Sequence, residues 1–412
     1  MTVLAADPEI DLLIPDDDVD DPILSILIPA LNEELTVTEF VAWCKEGLAA
    51  AGVEGEILIV DSGDDRTSER ALAGGARVLR TPRRGLGRAY IDALPYVRGK
   101  WIIMGDADCT YDFRLLAPFV AGFEGDFEYV MGSRWKGSIE AGSMPALHRY
   151  FGTPLTTFIL NVVYSSKFSD IHCGMRGITK DALERMNLQS QSWEYASEMV
   201  LKSVHMELRT TEVPVTFLKD REGRQSHHKR EGWLSPFKAA WINLQAMFIY
   251  GSHFFLLKPG LVMMIIGLLL TVPLTFGDLD LGFVTLSLNT QFLGAAVLAI
   301  GTQAFFMGCI AQVLFDYTGR DTRRWSRLFP YTRSVLIAFF LILGGILATV
   351  PLIVTFSDSG FLLERANTIP NHLAVTGLAA VITGAQLFGF TLVLLGTIIA
   401  TTRGRPRVAT QE

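Results

Sequence analysis

Lys100–Asp112 reads KWIIMGDADCTYD and carries the two side chains around which chemistry could be arranged, Asp106 and Asp108. Trp101–Met104 is a short apolar run, the mark of a strand buried on both faces of a parallel sheet. Where it stops, Gly105 permits a turn and the carboxylates follow with only Ala107 between them. Residues two apart on extended backbone point the same way, so both converge at the strand's carboxyl end, where open α/β sheets bind ligands. Two hard oxygen donors beside a diphosphate suit Mg2+ or Mn2+, which keep several waters and bridge phosphate oxygens. An isolated DxD is more often a solvated acidic turn. The buried strand directly before it favours the ligand reading.

The elements that must position these residues recur along the first half of the chain. Ile23–Pro29 predicts a strand running into Ala30-Leu31-Asn32-Glu33-Glu34 and a helix to about Ala51. Glu56–Val60 predicts a second strand, ending in Asp61-Ser62-Gly63-Asp64-Asp65, with Thr67-Ser68-Glu69 suited to start a helix. A third near Arg77–Arg80 leads to Arg83-Arg84-Gly85-Leu86-Gly87-Arg88 and a helix to about Val97. After the DxD strand come a helix from about Phe113 and a strand at Tyr129–Gly132, ending in Ser133-Arg134-Trp135. Strands alternating with helices at this spacing imply a mostly parallel, Rossmann-like sheet. Such a sheet gathers the strand ends on one rim, so Asn32, Glu33, Asp61, Asp106, Asp108 and Arg134 would surround one crevice. Gly85-Leu86-Gly87 beside Arg83, Arg84 and Arg88 could cradle a diphosphate, although a simple helix start explains the glycines alone.

Composition divides the 412 residues: 1–250 look like a soluble α/β protein, whereas 254–402 carry long uncharged stretches. Net charge is −7, which speaks against a nucleic-acid partner, and eight acids precede Ser25. That segment, residues 1–22, is expected to be a disordered acidic tail. It has neither the basic start nor the apolar core of a signal peptide, so the catalytic portion should face the cytoplasm. Cys44, Cys109, Cys173 and Cys309 show no paired spacing and read as free thiols.

SILIPALNEE, ILIVDSGDDRTSE, RGLGRA, MGDADCTYDF and VMGSRW stand in one order. In that order they resemble the family-two inverting glycosyltransferases of the GT-A fold, above all the polyprenyl-phosphate (dolichyl-phosphate-type) hexose synthases. The resemblance continues through MPALHRYFGTP and SDIHCGMRGITKDAL and covers roughly 23–258. It implies a GT-A domain over 23–232 in which Pro29, Ala30, Leu31, Asn32, Glu33, Ile59, Asp61, Gly85, Arg88, Asp106 and Ala107 bind the nucleotide sugar. It further implies that Asp106, Asp108 and Arg134 are catalytic and that Asp108 holds the metal with Asp106. Relatives often place Gln where this chain has Thr110, which leaves Thr110 as the candidate third ligand. The resemblance also makes Glu194 or Glu198 an active-site candidate, against an ordinary helical pair between Glu198 and Lys202.

For the acceptor, Arg149, Arg176, Arg221, Arg224 and Lys229 are the candidate lipid-phosphate ligands, and Cys173-Gly174-Met175-Arg176 reads as a tight loop that places Arg176 near the rim. The basic loop 221–230 stands just before a membrane-like segment, where cations meet anionic lipid or lipid phosphate. Residues 145–168 are apolar on one side and basic at His148, Arg149 and Lys167, which fits either a core helix or a membrane-contacting acceptor segment. Trp233, Phe237, Trp241, Leu244 and Phe248 form a helical stripe, so 233–258 is expected to hold an interfacial amphipathic helix.

Uncharged stretches at about 259–277, 289–315, 334–356 and 373–400 can each cross a bilayer, giving a four-helix transmembrane domain over 259–402 and a tail at 403–412. Arginines crowd 317–333 and the tail, while 277–288 and 357–371 hold only Arg365 as a base. The positive-inside rule then puts both termini in the cytoplasm of a multi-pass protein of the cytoplasmic membrane. No ionisable residue is expected inside the spans.

The expected activity is hexose transfer from a nucleotide sugar to polyprenyl phosphate, giving a β-linked polyprenyl-phosphate sugar, with membrane lipid as a partner and homo-oligomerisation left open. Two other readings compete. A processive polysaccharide synthase would carry Q-x-x-R-W before its spans; the nearest string, Asp321-Thr322-Arg323-Arg324-Trp325, has Asp in the Gln position and follows two spans. A non-catalytic lipid-binding or transport protein with a transferase-like domain would not need both aspartates.

Overall fold

The computed structural model describes residues 7–146, 148–164, 166–192, 194–221, 251, 253–316, 318–359 and 368–403. The chain forms two compact units, Met1–Met247 and Phe248–Glu412. The interfacial helix expected at 233–250 and the basic positions Arg224 and Lys229 lie outside the described residues.

The first unit is built on one eight-stranded sheet whose strands, in spatial order, are Asp11–Leu13, Arg77–Arg80, Gly55–Asp61, Leu24–Ala30, Trp101–Met104, Arg176–Thr179, Tyr129–Ile139 and Thr210–Phe217, that is β1-β4-β3-β2-β5-β7-β6-β8. β2 (Leu24–Ala30), β3 (Gly55–Asp61), β4 (Arg77–Arg80) and β5 (Trp101–Met104) run parallel, as their apolar runs predict. Leu24, Ile26, Leu27, Leu58, Ile59, Ile102 and Ile103 are all buried to 0 % exposure, so this half has helices on both faces. α1 (Val37–Ala51), α2 (Thr67–Ala73), α3 (Leu86–Ala93) and α4 (Ala117–Glu124) are the crossovers. α3 stops short of Val97 because Pro95 opens a separate 3-10 turn, Leu94–Tyr96.

Three strands go beyond the sequence reading. β7 (Arg176–Thr179), read as a loop, inserts antiparallel between β5 and β6. β6 extends over Tyr129–Ile139 rather than ending at Gly132, and pairs with the edge strand β8 (Thr210–Phe217), where Pro214 is tolerated. The acidic segment, expected to be disordered, is corrected over its described part. β1 (Asp11–Leu13) pairs with β4, and the acids around it serve as counter-ions. Asp7 and Glu9 pair with Arg84, Asp17 with Lys45, and Asp18 with Arg98. Burying arginine stems beside the sheet calls for carboxylates, and this segment supplies them.

α5 (Thr153–Tyr164) decides between the two readings of 145–168 only in part. Leu160 and Val163 are buried, while Tyr150, Phe151, Phe158 and Val162 face outward.

The second unit contains four helices long and apolar enough to cross a membrane: Phe254–Phe276, Leu288–Leu314, Tyr331–Asp358 and Ile369–Thr401. All four expected stretches are thus helical, but the helices overrun the expected bounds, so the expectation of no ionisable residue inside them is corrected: Lys258, Arg333 and Asp358 fall near helix ends and His372 near the start of the last. The last helix starts before residue 373, which brings His372 inside it, fully buried. Its Nδ1 lies 2.8 Å from Gln291 Oε1, and its Nε2, 3.2 Å from Asp278 Oδ1, makes no hydrogen bond among the described residues.

Candidate active site

The carboxyl ends of β2, β3 and β5 open on one cavity of about 270 Å3. Register makes this so: Ala30 pairs with Asp61 and Leu27 with Met104, so the turns after all three strands leave the sheet on the same rim. Two of these turns contain non-glycine residues in the left-handed region, Asn32 at φ 55° and Cys109 at φ 58°, the sort of local strain that concentrates at binding sites. Of the residues expected at the site, Pro29, Ala30, Leu31, Glu33, Gly85, Asp106, Ala107 and Asp108 line the cavity, and Arg83 joins them.

Other predicted residues take supporting places. Ile59 is fully buried in the sheet, two residues below the rim. The Asp61 carboxylate accepts from Ser68 Oγ at 2.5 Å and from the Gly63 N–H at 2.9 Å; burial nonetheless pushes it above its ordinary pKa. Asn32 Oδ1 accepts the Asp64 N–H at 2.9 Å and so ties the first two turns together. The expected arginine cradle is reduced by pairing. Arg84 is taken by Asp7 and Glu9, and Arg88 by Asp92 at 2.7 Å, neither of them lining the cavity.

Asp108 Oδ1 accepts two bonds from Thr110, from its N–H and its hydroxyl. Gly174 crowds the other carboxylate: a Cβ there would lie 2.8 Å from Asp106 Oδ2, so no side chain fits. The Gly174 N–H donates to the Tyr111 hydroxyl at 2.8 Å, fixing the Cys173–Met175 turn behind Asp106. Among the described residues no cluster of three or more His, Cys, Asp or Glu could hold a metal by itself. Asp106 and Asp108 on a cavity wall match instead the pattern for Mg2+, in which one or two carboxylates act together with substrate phosphate oxygens and water. The donor set therefore fits a hard divalent cation that shares its coordination with a diphosphate.

Two arginines expected near phosphate are engaged inside the protein. Arg134 forms a two-pronged pair with buried Asp170, Nε to Oδ2 at 2.7 Å and Nη2 to Oδ1 at 2.8 Å. Arg176, expected near the rim, is corrected: it is buried and donates to the Cys173 and Ala196 carbonyls at 2.6 and 3.0 Å. A β7 strand, rather than a loop, holds it there. Arg221 pairs with Glu39 and packs 5.6 Å from the Trp43 ring.

Residues 25–186 match the family described as Glycosyl transferase family 2, and 310–398 match its C-terminal transmembrane region. The low-salt glycan biosynthesis hexosyltransferase Agl6 of Haloferax volcanii is 35% identical over 94% of this chain and 91% of its own. The chain belongs to glycosyltransferase family 2. It is a membrane glycosyltransferase with a GT-A catalytic domain followed by transmembrane helices. The glycosyltransferase AglJ of the same organism is 27% identical, over 55% of this chain and 75% of its own. The dolichol-phosphate mannosyltransferase of Mycosarcoma maydis is 25% identical, over 49% and 72%. Among solved structures, glucosyl-3-phosphoglycerate synthase from Mycobacterium tuberculosis with Mn2+, uridine-diphosphate and phosphoglyceric acid aligns at TM-score 0.43 and 18% identity, covering 56% of this chain and 78% of that one.

One device of this family 2 transferase was only half visible in its sequence. Glu198 and Lys202 of α6 (Glu194–His205) form a buried pair at 2.7 Å, as helical spacing predicts. They do more than neutralise each other. Glu198 accepts the Gln189 and Ser190 N–H groups at 3.0 and 2.8 Å, and Lys202 donates to the Met186 and Asn187 carbonyls at 2.9 Å. The turn so clamped puts Ser192 on the cavity wall, and its Gln191 carbonyl accepts the Arg88 N–H at 3.0 Å. That turn presses on Gly85, whose φ of 115° and lack of a Cβ the contact requires. Ser62 and Leu86 line the site from strand-end segments already singled out, whereas Ala89 and Ser192 line it without a prior sequence signal.

Proposed function

We propose that this transferase moves a hexose from a nucleotide sugar to polyprenyl phosphate on the cytoplasmic leaflet, giving a β-linked polyprenyl-phosphate sugar. The observation that carries this reading is the pair Asp106 and Asp108 with Arg83 on one cavity wall, in a chain whose second half is four membrane-length helices. The relatives named for dolichol-phosphate mannosyl transfer and glycan hexosyl transfer support it.

In this reading Pro29–Leu31 and Ser62 seat the nucleoside, Arg83 faces the diphosphate, and Asp106 and Asp108 hold Mg2+ or Mn2+. When bound, the cation offsets charge on the leaving diphosphate. The acceptor favours such a site. A phosphomonoester has a second pKa near 6 and is already largely anionic at neutral pH, so the protein mainly positions it and balances its charge. Arg149, Arg221, Arg224 and Lys229 are proposed for that phosphate, and the outward Tyr150, Phe151 and Phe158 for contact with the bilayer. Arg-rich 317–333 and the arginine-bearing C-terminus support a cytoplasmic placement of both termini. The string nearest a polymer-synthase motif lies on a helix whose Trp325 is buried among phenylalanines, which speaks against that alternative.

The test is incubation of membranes containing the full chain with a panel of nucleotide sugars and polyprenyl phosphate, followed by mass spectrometry of the organic-soluble product. A polyprenyl-phosphate hexose is expected; a polymer, or no transfer with any donor, would refute the reading.

A further inference from the structure

Between the second and third spans lies a nine-residue helix, Arg320–Leu328, with four arginines. Arg320, Arg323, Arg324 and Arg327 fall at i, i+3, i+4 and i+7, so at about 100° per residue they share one face. All four are exposed. Trp325 points elsewhere: it is 2 % exposed, its Nε1 donates to Gln312 Oε1 at 2.9 Å, and its ring meets Phe305 at 5.8 Å and Phe329 at 6.2 Å. Phe306 stacks on Phe390 at 4.3 Å in the same cluster. The helix is thus pinned by its tryptophan, with its cations turned outward.

Its depth follows from what the cluster contains. Val313 closes the second span, Ala338 opens the third and Leu394 nears the end of the fourth, so three helix ends of one membrane face meet there. The second span has 27 residues, about 40 Å at 1.5 Å per residue, roughly 10 Å more than the hydrocarbon core. The arginine face therefore lies near the plane where lipid phosphates lie.

Charge pairing separates this face from a merely solvated one. In the catalytic unit Arg77, Arg84, Arg88, Arg98, Arg114 and Arg134 each have a carboxylate partner. Among the described residues no carboxylate pairs with Arg323, Arg324 or Arg327; Arg324 instead lies 4.9 Å from the Trp325 ring. Like charges three and four apart destabilise a helix, so Arg323, Arg324 and Arg327 are retained beside one another at a cost to folding.

We propose that this stripe docks the phosphate headgroups of anionic bilayer lipids, as a surface separate from substrate binding. Charge complementarity and depth both select that occupant.

The experiment is native mass spectrometry of the full chain released from detergent after equilibration with phosphatidylglycerol or phosphatidylcholine. The wild-type chain should retain phosphatidylglycerol at least about tenfold over phosphatidylcholine, since each basic residue near the surface contributes about fivefold. R323Q/R324Q/R327Q should fall to the phosphatidylcholine level, while R323K/R324K/R327K keeps most of the preference. If the triple glutamine variant fails to fold, R323Q and R327Q singly should each lose about fivefold. Equal retention of both lipids by wild type, or a preference untouched by the glutamine variants, would overturn the proposal. So would displacement by millimolar inorganic phosphate, which would mark a free-anion site, or retention of polyprenyl phosphate in place of phosphatidylglycerol, which would mark a substrate site.

Discussion

Thr110 donates twice to one oxygen of Asp108: its N–H lies 2.9 Å and its hydroxyl 2.5 Å from Oδ1. This fixes the carboxylate's rotation at the cavity wall, and we read Thr110 as orienting Asp108 rather than extending the ligand set. Thr110→Val removes a bond to a charged acceptor while keeping the side chain's shape. It should lower donor kcat/KM about tenfold, partly restored by excess Mn2+. Asp108→Ala should lose at least about a hundredfold, with no such restoration. Transfer assays across a Mn2+ titration distinguish the two, and wild-type turnover in excess chelator would sink the metal reading.

The Glu198–Lys202 clamp reaches the cavity wall through the turn that carries Ser192, so its effect is expected on the donor side. Glu198→Gln keeps the shape but leaves the buried Lys202 ammonium without its carboxylate, and should loosen the 187–192 turn. The expected result is a several-fold rise in donor KM with kcat and acceptor KM nearly unchanged. Initial rates with each substrate varied would expose the alternative, a catalytic carboxylate, as a loss of kcat.

Arg134→Ala would leave Asp170 buried and uncompensated, which costs about 3–5 kcal/mol. Thermal inactivation should therefore accelerate strongly. Arg134→Met with Asp170→Leu removes both charges and should recover most of the stability. If activity returns as well, Arg134 is a structural residue and not a phosphate ligand.

Burial holds the Asp61 carboxyl above its ordinary value of 3.8. A raised folded pKa means that its favourable contribution is full below 3.8 and is lost as pH rises through the folded value. At neutral pH the ionised form is thus a net cost. Asp61→Asn should raise the melting temperature at pH 7, with the gain shrinking toward pH 4, while donor binding weakens. Melting curves at the two pH values, with and without nucleotide, would show whether the sign is right.

For topology, a tag after Glu412 should be accessible from the cytoplasm and one within 277–288 only from outside. The reverse labelling would invert the proposed orientation.

Local pattern was enough to determine the parallel half of the sheet, the carboxyl-end rim and the four spans. Apolar runs such as Trp101–Met104 leave few alternatives once strands alternate with helices, and uncharged stretches of membrane length leave fewer still. Asp106 and Asp108 were legible because two acids directly after a buried strand have little structural reason to be there. Side-chain commitment was decided only in three dimensions. Arg84, Arg134 and Arg176 look alike in sequence, yet each finds a carboxylate or carbonyl brought from 20 to 77 residues away. The antiparallel β7, the strand in the acidic segment and the clamp of Glu198 on the 187–192 turn share that dependence. The strand pairings are long-range, with partners fixed by the closing of the fold, and the clamp's contacts to the 187–192 turn, eight and nine residues back, follow no helical or strand period.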